Sequence, residues 1–123
     1  MEAKSLVERQ SESNKLRNKF RDRIPVLVNP GNTRTPDIDK KKYLVPNDLT
    51  FGEFMLIIRK RIKLNEHQAL VGFVNGLLPP MGKRMTELYT ESSDQDGFLY
   101  VAYSLENTFG ALNFHCVQEV LRK

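Results

Sequence analysis

The chain has 123 residues, 40% hydrophobic and 28% charged, with a formal charge of +4, the balance of one soluble globular domain. A chain of this size buries about two thirds of its unfolded surface and needs neither metal nor disulfide to fold, and Cys116, the single cysteine, excludes an intramolecular disulfide and fits a reducing compartment. The longest uncharged run, Gln68 to Gly82, is interrupted by Gly72, Gly76, Pro79 and Pro80 and falls short of the ~20 residues a bilayer span needs, and the N-terminus has no apolar signal-peptide core, so membrane attachment would have to be added covalently.

Residues 1 to 22 are charged and rich in helix formers, with Leu16 and Phe20 one helical turn apart. The pattern predicts two short helices with a weak point at Ser11 to Ser13. Lys15, Arg17, Lys19, Arg21 and Arg23 crowd this end, most simply as a solvated helix face. Ile24-Pro-Val-Leu-Val-Asn-Pro-Gly reads as a strand closed by a turn, with Pro25 suited to a strand start or an edge. After a polar connection, Lys42 to Pro46 is a second strand, able to pair with the first as an antiparallel hairpin.

Thr50 opens the best-defined helix. Thr50-Phe-Gly-Glu53 fits a capping box, and Leu49 can pack on Phe54 as a hydrophobic staple. Phe51, Phe54, Met55, Ile58 and Ile62 form an apolar stripe, and Arg59, Lys60, Arg61 and Lys63 place positive charge at the negative helix end. That role accounts for the basic run without nucleic-acid contact. Ala69 to Gly76 is a third strand ending in an Asn-Gly turn, Lys83 to Tyr89 supplies one or two helical turns, and Phe98 to Tyr103 is the final strand. Strands, one main crossover helix and more strands describe an α+β roll with the helix on one face of a four-stranded sheet.

Catalytic constellations are weak. His67 and His115 lie far apart, no Cys/His cluster has metal spacing, and no glycine-rich phosphate loop is present. Cys116 beside His115 is most simply an incidental cysteine. Peptide binding has more support: if Lys42–Pro46 is a sheet edge, its free backbone groups can accept an added strand. Alternation puts Lys42 and Leu44 on one side, Tyr43 and Val45 on the other. The pattern alone leaves open whether Leu44 and Val45 line pockets or belong to the core.

Lys41-Lys-Tyr-Leu-Val-Pro-Asn-Asp-Leu-Thr50, Ile58-Arg-Lys-Arg-Ile62, Phe73-Val-Asn75, Leu78-Pro-Pro80 and Gly97-Phe-Leu-Tyr with Glu106-Asn-Thr-Phe-Gly110 together resemble the autophagy-related protein 8 family of ubiquitin-like modifiers, which includes the GABA-A receptor-associated protein. Arg21-Asp-Arg-Ile-Pro-Val26 matches as well, so the resemblance covers about residues 12 to 110. It implies a ubiquitin-like β-grasp core over 23–103, a packed helical segment over 1–22, a conjugation arm over 104–110 and a propeptide over 111–123. It further implies that a cysteine protease cuts between Gly110 and Ala111, with Thr108 and Phe109 leading into the cut. E1-like and E2-like enzymes would then pass the new carboxylate to the amine of phosphatidylethanolamine. The protein would be cytoplasmic, its lipidated form would sit on autophagosome membranes, and it would have no catalytic residues, metal or other cofactor of its own.

The resemblance also implies binding of cargo receptors and adaptors that carry an aromatic-x-x-aliphatic motif. Glu12, Leu16, Pro25, Leu27, Lys42, Leu44 and Phe98 match the pocket for the aromatic residue. Tyr43, Val45, Pro46, Leu49, Phe54 and Ile57 match the aliphatic pocket, and Lys40, Lys42 and Arg61 would attract acidic neighbours. The chain departs from the family in a short segment before Glu12 without an aromatic-Pro-Phe pattern, in Leu105, and in the thirteen residues after Gly110. Two other readings are an unconjugated peptide-binding module in vesicle trafficking and a basic nucleic-acid binder using Lys40–Lys42 and Arg59–Lys63.

Overall fold

A computed structural model describes residues 5–32, 35–64 and 67–106. In chain order the elements are α1 (Leu6–Lys19), β1 (Arg23–Pro30), β2 (Lys42–Pro46), α2 (Phe51–Ile62), β3 (Ala69–Phe73), α3 (Met85–Ser92) and β4 (Leu99–Glu106). The strands form one four-stranded sheet in the order β2-β1-β4-β3. β1 and β4 run parallel at its centre, and β2 and β3 pair antiparallel on the outside. This is the expected α+β arrangement, with the β1–β2 hairpin in place.

One face of the sheet carries the core. Ile24, Val26 and Val28 of β1, Val45 of β2 and Leu99, Val101 and Tyr103 of β4 point to the same side, where Phe51, Phe54, Met55 and Ile58 of α2 meet them. The capping box that starts α2 forms as read: the Thr50 hydroxyl accepts from the Glu53 N–H at 3.1 Å, and the Thr50 N–H donates to the Glu53 carboxylate at 2.9 Å. α2 packs so closely on β3 that a Cβ on Gly72 would sit 2.6 Å from Met55 Sδ and 2.7 Å from Phe51 Cζ. Asn75 and Gly76 both take positive φ, 53° and 77°, as a tight strand-reversing turn requires.

The N-terminal region is one helix of 14 residues rather than two short ones. The Ser11–Ser13 stretch does not break it, because Ser13 is the point at which the helix is fastened. Its hydroxyl donates to the Asp96 carbonyl at 2.6 Å, and Gly97, with φ +87°, leaves the space: a Cβ there would meet Ser13 Oγ at 2.2 Å. Ser5 and Glu8 form a second capping box at the start of α1. β4 also extends further than expected, with Ser104, Leu105 and Glu106 pairing with Val71, Leu70 and Ala69. The sheet therefore takes in the first three residues assigned above to the conjugation arm. Gly110, Phe109, Thr108 and the segment 111–123, with His115 and Cys116, lie outside the described residues.

Candidate peptide-binding site

β2 is an edge strand, and its register determines which of its backbone groups face outward. The Val28 N–H donates to the Lys41 carbonyl at 2.8 Å. Hydrogen-bonded pairs alternate along an antiparallel ladder, so Tyr43 and Val45, opposite Val26 and Ile24, turn their N–H and C=O toward β1. Lys42 and Leu44 turn theirs to the free edge. The contact of Arg23 Nη1 with the Leu44 carbonyl, at 3.4 Å, agrees with that direction.

Side chains flank this edge in two groups. On the face away from the core, Pro25 stands opposite Leu44 and Leu27 opposite Lys42. The Lys42 ammonium reaches across to the Glu12 carboxylate on α1 at 2.5 Å, and Leu16 follows one turn later. Pro25 and Phe98 are buried and form a floor, while Leu16, Leu27 and Leu44 keep partial exposure. The seven residues matched to an aromatic pocket thus belong to α1, β1, β2 and the residue just before β4.

The second group lies on the α2 side. The Tyr43 ring meets Phe54 edge-on, with centroids 5.6 Å apart. Val45 and Phe54 are closed off from solvent within the core, while Leu44 keeps partial exposure. Of this group Tyr43, Pro46, Leu49 and Ile57 retain surface, Ile57 being 42% exposed. Tyr43 brings its hydroxyl to a buried position with no hydrogen-bond partner, and burial raises its pKa. Lys40 Nζ lies 5.0 Å from the centre of the same ring, and Arg61 holds Asp39 through two contacts of 2.9 and 3.3 Å. The Arg61 hydrogen bond lowers the Asp39 pKa.

Two features were not legible in the sequence. One is Arg23 beside the Leu44 carbonyl, which reads in the sequence as one more charge in a basic cluster. The other is the buried Asp96, which anchors α1. Its carboxylate accepts from Arg9 Nε at 3.0 Å, from the Phe98 N–H at 3.0 Å and from the Tyr100 hydroxyl. Arg17 adds a second fastening, its guanidinium 4.7 Å from the centre of the Tyr89 ring and donating to the Arg23 carbonyl. α1 is therefore held to the sheet largely by polar contacts.

Several cations of the basic runs have partners within the fold. Lys41 pairs with Asp37, Lys42 with Glu12 and Arg61 with Asp39, and Arg59 donates to the Gln68 carbonyl. Among the described residues no cluster of three or more His, Cys, Asp or Glu could hold a metal, and no helix is long and apolar enough to cross a membrane.

A four-stranded mixed sheet crossed by α2, with an outward-facing hairpin edge between two apolar groups, defines a ubiquitin-like protein. A family model described as autophagy protein Atg8, ubiquitin-like, matches residues 8–110. Autophagy-related protein 8a of Arabidopsis thaliana is 55% identical over 108 residues, 87% of this chain and 88% of that protein. Autophagy-related protein 8B of Oryza sativa subsp. indica is 53% identical over 109 residues, 88% of this chain and 92% of that protein. The crystal structure of Trypanosoma brucei ATG8 superposes with a TM-score of 0.80 at 38% identity, covering 88% of this chain and 94% of that one. Plasmodium falciparum Atg8, solved in complex with a P. falciparum Atg3 peptide, gives 0.78 at 35% identity, covering 87% and 98%. The chain belongs to the Atg8 family, the ubiquitin-like modifiers of autophagy.

Proposed function

We propose that this protein is cut after Gly110, is conjugated to phosphatidylethanolamine through E1-like and E2-like thioesters, and recruits aromatic-x-x-aliphatic peptides along β2. The observation that carries the binding half is the outward-facing backbone of Lys42 and Leu44 between the two apolar groups. An extended peptide can add there as a strand, its backbone pairing with Lys42 and Leu44 while alternate side chains enter opposite sides. The complex of the P. falciparum relative with an Atg3 peptide supports an E2-like partner.

The chain then works as substrate and tag, with nucleophiles supplied by the processing protease and the conjugating enzymes. Gly110 suits the cut because the absent Cβ lets its carbonyl approach a thiolate closely. A lipid supplies the membrane attachment that no described helix provides. The modifier is cytoplasmic until conjugated and autophagosomal afterward. Cargo receptors and adaptors are its ligands.

The binding half is tested by titrating an aromatic-x-x-aliphatic peptide into the ¹⁵N-labelled protein. Shifts should concentrate at Lys42 to Leu49 and Leu16, whereas shifts confined to Arg59–Lys63 would contradict it. For processing, intact mass after incubation in autophagy-competent extract should show loss of Ala111 to Lys123. A full-length product that persists in the presence of active protease would rule the cut out.

A further inference from the structure

Ser104, Leu105 and Glu106 belong to the sheet but are held from one side. β1 accompanies β4 only as far as Tyr103, whose carbonyl accepts from the Gly31 N–H at 2.7 Å. Beyond that point β4 is paired with β3, itself an edge strand of five residues. The same bond sets the direction of the backbone groups that follow. Tyr103 turns toward β1, so by alternation Ser104 and Glu106 turn toward β3 and form hydrogen-bonded pairs with Val71 and Ala69. Leu105 and Leu70, between them, are a non-hydrogen-bonded pair.

Leu105 therefore holds its place on β3 through its side chain. It lies on the core side of the sheet, two residues after the buried Tyr103, as Leu70 does two residues before Gly72. Side chains approach most closely in a pair of this kind. Leu70 packs against the core cluster, and both leucines are half-buried. An apolar pair thus closes the end of a stretch that has a single partner strand.

The reach of the chain gives this closure a consequence. Gly110 is four residues beyond Glu106, so while Glu106 stays on β3 the Gly110 carbonyl lies at most ~13–14 Å from the sheet. A protease must bring that carbonyl to ~3–3.5 Å from its thiolate, and within this reach its cleft would have to take in the end of the sheet itself. With Ser104 to Glu106 off β3, seven residues follow Tyr103 and the reach becomes ~23–25 Å.

We propose that Leu105 and Leu70 form a clasp that holds Ser104–Glu106 on β3, and that its opening sets the rate at which the processing enzyme reaches Gly110. The gating rests on the processing reading above; the clasp itself does not. Cleavage draws on the minor population in which β4 has peeled back to Tyr103, and its rate follows that population.

Leu105→Ala and Leu70→Ala test both halves, since losing the burial of one half-buried leucine raises the open population by about three- to tenfold. In amide hydrogen exchange of the purified full chain, Ala69 and Val71 should be less protected than Val101, which lies in the doubly paired part of β4. Either variant should quicken exchange at Ala69 and Val71 by the stated factor, and Leu105→Ile, which keeps the apolar bulk, should retain the parent rates. Equal protection of all three amides in the parent, or unchanged exchange in the variants, would overturn the clasp. In autophagy-competent extract, the initial rate of loss of Ala111 to Lys123, read by intact mass, should rise by the same factor in both alanine variants. Leu70→Ala leaves the segment around the cut unaltered, so a rise confined to Leu105→Ala would assign the effect to contact with the enzyme and overturn the gating. Faster exchange with an unchanged or slower cut would overturn it as well. Parent and variants that all stay whole while exchange quickens would end the gating together with the processing reading, whereas unchanged exchange beside a normal cut would end the clasp alone.

Discussion

Asp96→Ala should detach α1 from the sheet before it unfolds the rest. The carboxylate is fully buried and accepts from three donors. Truncation leaves the Phe98 N–H and the Tyr100 hydroxyl without an acceptor, at ~1–3 kcal/mol each. The loss of Arg9 counts for less, about 0.5–1 kcal/mol, because that side chain is 35% exposed and water can take over its solvation. The total is about 2.5–7 kcal/mol, a large share of a typical domain's stability, and should lower Tm by ~10–28 °C at ~4 °C per kcal/mol. Asp96→Asn keeps one carbonyl oxygen for Phe98 and should fall between, at about 2 kcal/mol. Amide hydrogen exchange at neutral pH supplies the local test. Amides of α1 should lose protection well beyond those of α2, and affinity for an aromatic-x-x-aliphatic peptide should fall because Glu12 and Leu16 lose their position. A Tm within a degree or two of the parent, or equal loss of protection in α1 and α2, would refute Asp96 as the anchor.

Thr50→Ala removes the cap of α2 and should destabilise the protein by ~0.5–2 kcal/mol in urea unfolding. The Thr50 backbone and hydroxyl also lower the Glu53 pKa from 4.5, so that pair's contribution is present above pH 4.5 and lost as pH falls through the lower folded value; the variant should return the Glu53 NMR titration toward 4.5. Gly72→Ala drives a methyl into Met55 and Phe51 and should cost ~1–3 kcal/mol, and the loss should shrink in a Met55→Ala background, since the two sites share one contact. Burial, together with the Asp96 hydrogen bond in the case of Tyr100, raises Tyr100 and Tyr103 from 10.0 to about 12. Keeping these phenols neutral stabilises the fold fully below pH 10 and is lost as pH rises toward 12; ultraviolet titration should show two phenols ionising near pH 12, with one of them disappearing in each of Tyr100→Phe and Tyr103→Phe.

What the sequence disclosed depended on the span of the interaction. The Thr50–Glu53 box and the Asn75–Gly76 turn close within a few residues, so local chemistry was enough to read them. The division of β2 into two sides was equally legible, because strand alternation needs no knowledge of the partner strand. The anchoring of α1 was not: Arg9 and Asp96 are separated by 87 residues, and Ser13 looks like a helix-weakening serine until Gly97 is placed against it. The burial of Val45 was hidden for the same reason, since only the packing of α2 on the sheet separates side chains that line a surface from those beneath it. Local pattern likewise left the length of β4 open, as its last three residues owe their conformation to pairing with β3.

The strand order has a mechanical consequence. β2 and β4 are separated in the sheet by β1 alone, so the free β2 edge and the strand leading toward Gly110 lie two strand spacings apart, ~10 Å. Pull on the C-terminal end is borne first by β4, which is paired on both sides, and reaches β2 through β1 and through the core under α2. Under the proposed function, a molecule fixed by that end would carry its anchor on an inner strand and its ligand on an outer one, as a hook separates shank from point.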